Sequence, residues 1–503
     1  MSLKVHEDSG TALISQVYPF NIPDTQRTID NAYFEFYDPA VNLNSNPSKA
    51  QRNLRWEVPG SSDLTHMKSS YFLLRCKFSR TANGNDYDTN GATAHKELPN
   101  NDRVTLNSGW SQLLIDRLNV YLNGVNLSEG DHYAYKGWIA SILEEEEGWA
   151  SEPVKVQAYG LADPLPSIGG VAADPQRRNY QEERFLSVMK QGAGEHEGFI
   201  LDYPGKSENN VLLESPTMRY NQSKYISKGE GFTIMIKPKD SLFLQDDYLI
   251  PQIRLKLEML TSVPNFFCMG ETGAIQPYLS ISQARLFLKR IKLTQIAEKS
   301  LYQKLAIPGN PAKYIFPRMR YTNQIIGKVP SKRVVSLLSG TRPNKVIVFF
   351  TKQLALEPAT GSFENNPTAF TEFDNQNNYF KATYINVAGR QFPTKELDFE
   401  AKNDVHRAYE MYKMSCADPK KPVLNLDQFS ENHRIFCFNT SKTLTDEGQN
   451  VLHSGTRTDI QVDVRFNVAT GAGANGQDTI LHLIAVDDGI VEIGGDGSVV
   501  KNY

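Results

Sequence analysis

The feature that most constrains this chain is a hydrophobic period of two residues, which recurs in both halves of its 503 residues. In the segment DIQVDVRF, Ile460, Val462 and Val464 alternate with polar residues, and the same alternation runs through 72–78 and 253–259. Successive side chains of a β-strand point to opposite faces of a sheet, so this period is typical of strands buried on one face. The sequence therefore predicts a chain built mainly from half-buried strands.

Three local signals add detail to this prediction. The run KVIVFF at 345–350 has no polar face, which indicates a strand buried on both sides. Asn123 and Gly124 follow an alternating run, and both tolerate a positive φ, so they predict a hairpin turn. Near Lys289 and Arg290 the apolar phase slips by one residue, which predicts a β-bulge.

Helical periodicity is confined to a few short stretches. Apolar stripes predict helices at 135–143, at 405–412 with Asn403 as the N-cap, and at 297–306. Many strands with few helices exclude a parallel sheet with crossover helices and favour β-sandwiches. One sandwich rarely exceeds about 250 residues, so two in tandem fit the length. The segment 264–277 has neither period and is the predicted linker.

The predicted domain organisation is an arm followed by two sandwiches with long insertions. The parts are an arm at 1–28, a first sandwich at 29–268 with an insertion at about 148–230, and a second at 276–503 with insertions at about 357–379 and 440–458. Structureless loops of this length are uncommon in compact domains and usually carry function.

Composition excludes several classes of protein. The net charge is −3, and no Lys/Arg-rich stripe is present, so the chain is not expected to condense a genome or to bind nucleic acid directly in a sequence-specific way. The four cysteines form no CxxC pair, which favours free thiols made in a reducing compartment. The polar N-terminus predicts no signal peptide, and no apolar run approaches the roughly 20 residues of a membrane span.

No motif predicts a catalytic, cofactor or metal site. The GxGxxG match at 471–476 is followed by a strand-like segment and not by the helix that a dinucleotide site needs, so we interpret it as a hairpin loop. The carboxylate pairs at 246–247 and 487–488 are expected to lie in turns. None of the nine histidines lies four residues from another, and His132, His406 and His482 are interpreted as structural.

A family resemblance emerges from the order of several motifs. The stretch IDRLNVYLNG at 115–124, followed by YAYKGW at 133–138, resembles the first jelly roll of hexon-like capsid proteins of the Polinton/Maverick and adintovirus-like double-stranded DNA viruses. The segments 238–243 and 253–259 look like the close of that jelly roll, and 285–293 looks like the opening of the second. The resemblance covers most of 110–493 in order, without the loops.

The resemblance implies two tandem jelly rolls in a structural major capsid protein, and no enzymatic activity. Three subunits would form a pseudo-hexagonal capsomer of an icosahedral shell, with penton and minor capsid proteins as further partners. The implied location is the virion capsid, with synthesis in the host cytoplasm and assembly in the nucleus.

Subunit contacts are expected in the insertions, because their apolar residues are too irregularly spaced to form a core and need a partner surface. The candidate contact residues are Leu161, Leu165, Phe185, Leu186, Phe199, Phe363, Phe370 and Phe373.

Two other functions remain open from the sequence. A carbohydrate- or receptor-binding sandwich would expose an aromatic platform, for which Phe370, Phe373, Tyr379 and Phe380 are candidates. A β-rich hydrolase would need a catalytic pair of side chains, and the sequence offers none that we recognise.

Overall fold

The computed structural model describes residues 28–41, 43, 53–79, 104–106, 110–128, 132–144, 232–270, 278–307, 309–326, 331–352, 380–399, 404–420, 422–424, 426, 429, 434–441, 457–466 and 479–502. Strands dominate this part of the chain. Its α-helices are α1 (Trp110–Leu113), α2 (Tyr133–Glu144), α3 (Pro264–Phe267), α4 (Gln295–Leu305) and α5 (Val405–Lys413). The predicted helices at 135–143, 297–306 and 405–412 are thereby confirmed as α2, α4 and α5.

Two sets of strands follow one another along the chain. The first set is β1 (Ile29–Tyr37), β2 (Asn53–Val58), β3 (Leu64–Ser79), β4 (Val104–Leu106), β5 (Ile115–Leu122), β6 (Val125–Asn126), β7 (Phe232–Ile236), β8 (Leu255–Thr261), β9 (Cys268–Gly270) and β10 (Tyr278–Leu293). The second set is β11 (Ala312–Ile325), β12 (Ser331–Thr341), β13 (Lys345–Lys352), β14 (Phe380–Val387), β15 (Arg390–Asp398), β16 (Phe436–Asn439), β17 (Arg457–Phe466), β18 (Thr479–Ile493) and β19 (Val499–Asn502).

Each set folds into two antiparallel sheets. Sheet I has the order β1-β10-β3-β7 and sheet II the order β2-β8-β5-β6. In the second set, sheet III is β11-β18-β13-β16, with β19 beside β18, and sheet IV is β12-β17-β14-β15. The short strands β4 and β9 pair only with each other in the described part of the chain.

The two halves share one topology. Without β4, β9 and β19, each half has eight strands. When these are counted along the chain, one sheet has the order first-eighth-third-sixth and the other second-seventh-fourth-fifth. Eight antiparallel strands in two such sheets form a jelly roll. The predicted fold class, an all-β chain of two tandem jelly rolls with a few short helices, is confirmed.

Strand pairing corrects one prediction. We expected 285–293 to open the second jelly roll, but β10 pairs with β1 and β3 and is the eighth strand of the first. The physical reason is packing, because Leu286 and Leu288 of β10 are fully buried in the first core. The segment 264–277 is also not a plain linker, since it contains α3 and β9. We therefore place the passage between the two jelly rolls at α4.

Two local predictions are confirmed by the backbone. The β3–β10 ladder shifts register between Phe287 and Lys289, which is the expected bulge. Asn123 and Gly124 have φ values of 46° and 88° and form the turn between β5 and β6. At Gly124 the positive φ itself favours glycine.

The two jelly rolls stand side by side with matching ends together. The tight turns at Asn123 and Gly124 and at Ala388 and Gly389 mark the turn end of each jelly roll. At the turn end, the Asn123 side-chain amide donates to the Gly497 carbonyl over 2.6 Å. Beyond the end of α5, the Ala417 amide donates to the Leu143 carbonyl of α2 over 2.8 Å.

Candidate assembly surfaces

The outer face of sheet III is covered within the chain by helix α2 of the first jelly roll. The Tyr135 ring of α2 lies 5.6 Å from the Phe349 ring and 4.8 Å from the His482 ring, measured between centroids. It also stacks at 6.1 Å on Tyr321. This cover explains why residues 346–350 of β13 are buried on both faces, as their sequence predicted.

His482 lies at the centre of the contact between α2 and sheet III and makes two hydrogen bonds. Its Nδ1 lies 2.6 Å from the Tyr321 hydroxyl, and its Nε2 lies 2.7 Å from the Thr351 hydroxyl. Complete burial, with a smaller contribution from His132, lowers the pKa of His482 to about 3. The imidazole is therefore neutral and structural, consistent with the interpretation from the sequence.

His482 is expected to make the folded chain less stable in acid. The unfolded chain binds a proton at this side chain below about pH 6.5, whereas the folded chain does so only near pH 3. The free energy of unfolding therefore falls as the pH drops from about 6.5 to about 3. The slope from one such group approaches about 1.4 kcal/mol per pH unit. Urea titrations between pH 7 and pH 4 should therefore show a shallower pH dependence for His482→Gln than for the wild type. Equal slopes would contradict this assignment.

A buried ion cluster joins the two sheets of the second jelly roll. Asp487 of β18 accepts bonds from Arg318 Nε at 2.8 Å and from Arg318 Nη2 at 2.6 Å. Arg320 Nη2 lies 3.1 Å from the same carboxylate, and this guanidinium donates to the Ser339 and Thr341 carbonyls of β12. Both carboxylate oxygens of Asp487 thus have arginine partners, which gives the group a structural role.

This cluster corrects the expectation of a turn at 487–488. Both residues lie inside the continuous strand β18. The strand tolerates Asp487 on its core face because two guanidinium groups neutralise the buried carboxylate. Asp488 points to the opposite face, where it accepts a 2.9 Å hydrogen bond from the Asn344 side chain.

The outer faces of sheets II and IV carry charged groups. On sheet II, Lys256 and Glu258 form an ion pair of 2.7 Å. On sheet IV, Arg465 pairs with Glu396. Paired charges of this kind are typical of a surface that stays in contact with water.

The outer face of sheet I also has an ion pair, between Arg285 and Asp38. It differs in carrying an aromatic row made of Phe34, Phe36, Tyr71 and Phe287. Ring centroids lie 6.0 Å apart for Phe36 and Phe287, 5.0 Å for Tyr71 and Phe287, and 5.7 Å for Phe34 and Tyr71. Phe34 is 50% exposed and Phe36 is 51% exposed. The Arg285 guanidinium lies 4.7 Å from the Phe36 ring centre.

A cavity of about 760 Å³ opens at the turn end of the second jelly roll. Its lining is mostly polar and comprises Ser339, Gly340, Asn386, Ala388, Gly389, Thr458, Asp459 and Gln461. Among the described residues, the Oδ1 atom of Asn386 is buried without a hydrogen-bond partner. The cavity lining offers hydroxyl, amide and carboxylate groups to a small polar molecule.

Several residues singled out in the sequence lie outside the described part of the chain. These are the candidate contact residues Leu161, Leu165, Phe185, Leu186, Phe199, Phe363, Phe370 and Phe373, together with Tyr379 and the glycine-rich segment 471–476. Strand β14 begins at Phe380. The sequence reasoning missed the aromatic row.

Within the described ranges, no three His, Cys, Asp or Glu side chains are grouped closely enough to hold a metal ion. No helix in those ranges is long and apolar enough to cross a membrane.

Cys76, Cys416 and Cys437 are free thiols in buried positions, and burial raises the pKa of Cys76 to about 12.

Comparison with known proteins gives a fold and no family. No family model matches the chain, and no curated protein matches it either. A chain of the cryo-electron-microscopy structure of the Sputnik virophage aligns with a TM-score of 0.56 at 11% identity, covering 98% of this chain and 93% of that one. The crystal structure of the mavirus major capsid protein aligns with a TM-score of 0.50 at 10% identity, covering 98% and 96%. The shared feature at this identity is the double jelly-roll fold.

Proposed function

We propose that this chain is the structural major capsid protein of an icosahedral double-stranded DNA virus. The observation that carries the proposal is the pair of jelly rolls with one topology, standing side by side with matching ends together. Its likeness to the mavirus major capsid protein along 98% of the chain supports the same role.

The geometry favours a trimeric capsomer. One chain supplies two nearly equivalent upright units, so three chains supply six, which suits a pseudo-hexagonal tile. Most soluble oligomers have closed symmetry, and a repeated head-to-tail contact forms a ring when its rotation closes. The eight candidate contact residues would then bind neighbouring copies.

The finer parts of the proposal follow the sequence resemblance. They are membership of the Polinton/Maverick and adintovirus-like group, penton and minor capsid proteins as partners, and assembly in the nucleus after synthesis in the host cytoplasm. A structural role also suits the described ionisable groups, because His482 and Asp487 are engaged by buried neighbours within the chain.

Electron microscopy of the purified recombinant chain tests this proposal. Class averages should show particles with a six-lobed, roughly hexagonal outline, because each jelly roll is a separate upright unit. Particles with only two lobes would contradict the proposed capsomer.

The polar cavity near Asn386 supports a second candidate function, the binding of a carbohydrate or receptor. Its described lining offers amide, hydroxyl and carboxylate groups but no aromatic ring. Sugar sites normally combine such groups with an aromatic surface, so we rank this function second. Binding to a glycan array that is lost in Asn386→Ala would favour it.

A further inference from the structure

We infer that the aromatic row on sheet I is a subunit interface, occupied by the second jelly roll of another copy of this chain through its helix α5. This inference deepens the proposed function and rests on it. The argument starts from a contact that the chain already makes within itself.

Sheets I and III are equivalent in topology, since each joins the first, eighth, third and sixth strands of its jelly roll. Their outer faces also carry rings on the same strands. On sheet III these are Tyr321 on the first strand, His482 on the eighth and Phe349 on the third. On sheet I they are Phe36, Phe287 and Tyr71 on the corresponding strands, and these three lie directly opposite one another in the ladders.

The two rows differ in what covers them. On sheet III, Tyr135 of α2 covers the row, and His482 is fully buried. On sheet I, half of the surface of Phe34 and Phe36 is exposed in the single chain. Large aromatic side chains that stack into one exposed patch are characteristic of interaction sites, because such a patch is unfavourable in water.

Helix α5 is the element that corresponds to α2. Along the chain, each helix lies between the fifth and sixth strands of its jelly roll. Ala408 and Tyr412 of α5 are buried, whereas His406 and Glu410 are exposed, and Met414, the residue after the helix, is 66% exposed. The helix therefore keeps a side available for another surface.

The same packing mode, repeated at each boundary between jelly rolls, would then account for every contact in a ring of six jelly rolls. Helix α2 of the first jelly roll packs on sheet III of the second, and α5 of the second would pack on sheet I of the next copy. This contact is head-to-tail, and it closes after three copies when each jelly roll is turned by about one sixth of a circle from its neighbour.

Charge substitution on the aromatic row tests the inference. The double variant Phe34→Glu, Phe36→Glu should remain folded, because both side chains are half exposed, and it should be monomeric at a concentration where the wild type is trimeric. Burying two carboxylates in an apolar interface is strongly unfavourable. Val335→Glu is the matched control, since Val335 is 58% exposed on β12 of sheet IV, and it should stay trimeric.

The outcomes separate this inference from the proposed function. A monomeric wild type would overturn both. A trimeric wild type with a trimeric double variant would overturn the interface alone. Thermal melting of each variant shows whether loss of the trimer reflects loss of the fold.

Photo-cross-linking of the intact chain identifies the occupant without disturbing the interface. The chain carries p-benzoyl-phenylalanine in place of Phe34 and is mixed with an isotope-labelled copy, so that links between copies are recognised by mass. The expected link joins position 34 to a peptide from 405–414 of the other copy. No link between copies, or a link to another segment, would overturn the assignment of α5.

Discussion

Replacing Val464 by aspartate is expected to abolish soluble folded protein. Val464 lies in the middle of β17, is fully buried, and is paired with Lys332 on one side and Thr383 on the other. The new carboxylate would face the core between sheets III and IV, where an unpaired charge costs several kcal/mol. A domain is stable by only about 5–15 kcal/mol in total. The soluble fraction after expression and the circular dichroism of any soluble protein measure the effect.

Asp463→Asn is the matched control for this prediction. Asp463 is the preceding residue of β17, so its side chain points away from the core, opposite Tyr384 and Arg333 on the neighbouring strands. The asparagine variant should be expressed and should melt almost like the wild type. Similar losses for the two variants would contradict the assignment of the faces of β17.

The second large effect is expected for Asp487→Asn. The substitution nearly preserves the shape of the side chain but removes the negative charge that Arg318 and Arg320 share. Removing one partner from a buried ion pair typically costs about 3–5 kcal/mol, because the remaining charge is left uncompensated. The midpoint of denaturant unfolding should therefore fall sharply.

Asp488→Asn provides the comparison for the ion cluster. Asp488 lies on the other face of β18, and its described partner is the side chain of Asn344, a neutral group. Its unfolding midpoint should change little. If both variants lost the same stability, the cluster at Asp487 would not have the structural role assigned to it.

The strands were predictable because a strand buried on one face has apolar residues at every second position of its sequence. The alternation at 460–464 and the apolar run at 345–350 are local signals, and both match the structure. Pairing partners are not local. The sequence of β10 shows a strand with a bulge but does not show that its neighbours are β1 and β3, which begin about 200 residues or more earlier in the chain.

The buried ion cluster and the aromatic row were missed for related reasons. Asp487 and Arg318 are 169 residues apart, so an aspartate beside a second aspartate was reasonably interpreted as a turn. In β1, aromatic residues occupy both faces, at Tyr33 and at Phe34, and the alternation is obscured. The candidate contact residues in the insertions remain a prediction.

The mass of the purified chain in solution tests the central claim most directly. Multi-angle light scattering or native mass spectrometry at micromolar concentration should give three times the 56.6 kDa of one chain. A capsomer subunit is expected to hold its partners at this concentration, because permanent interfaces usually bury more than about 2,000 Å². A mass of one chain at micromolar concentration would contradict the proposed trimer and, with it, the assignment of a capsid role.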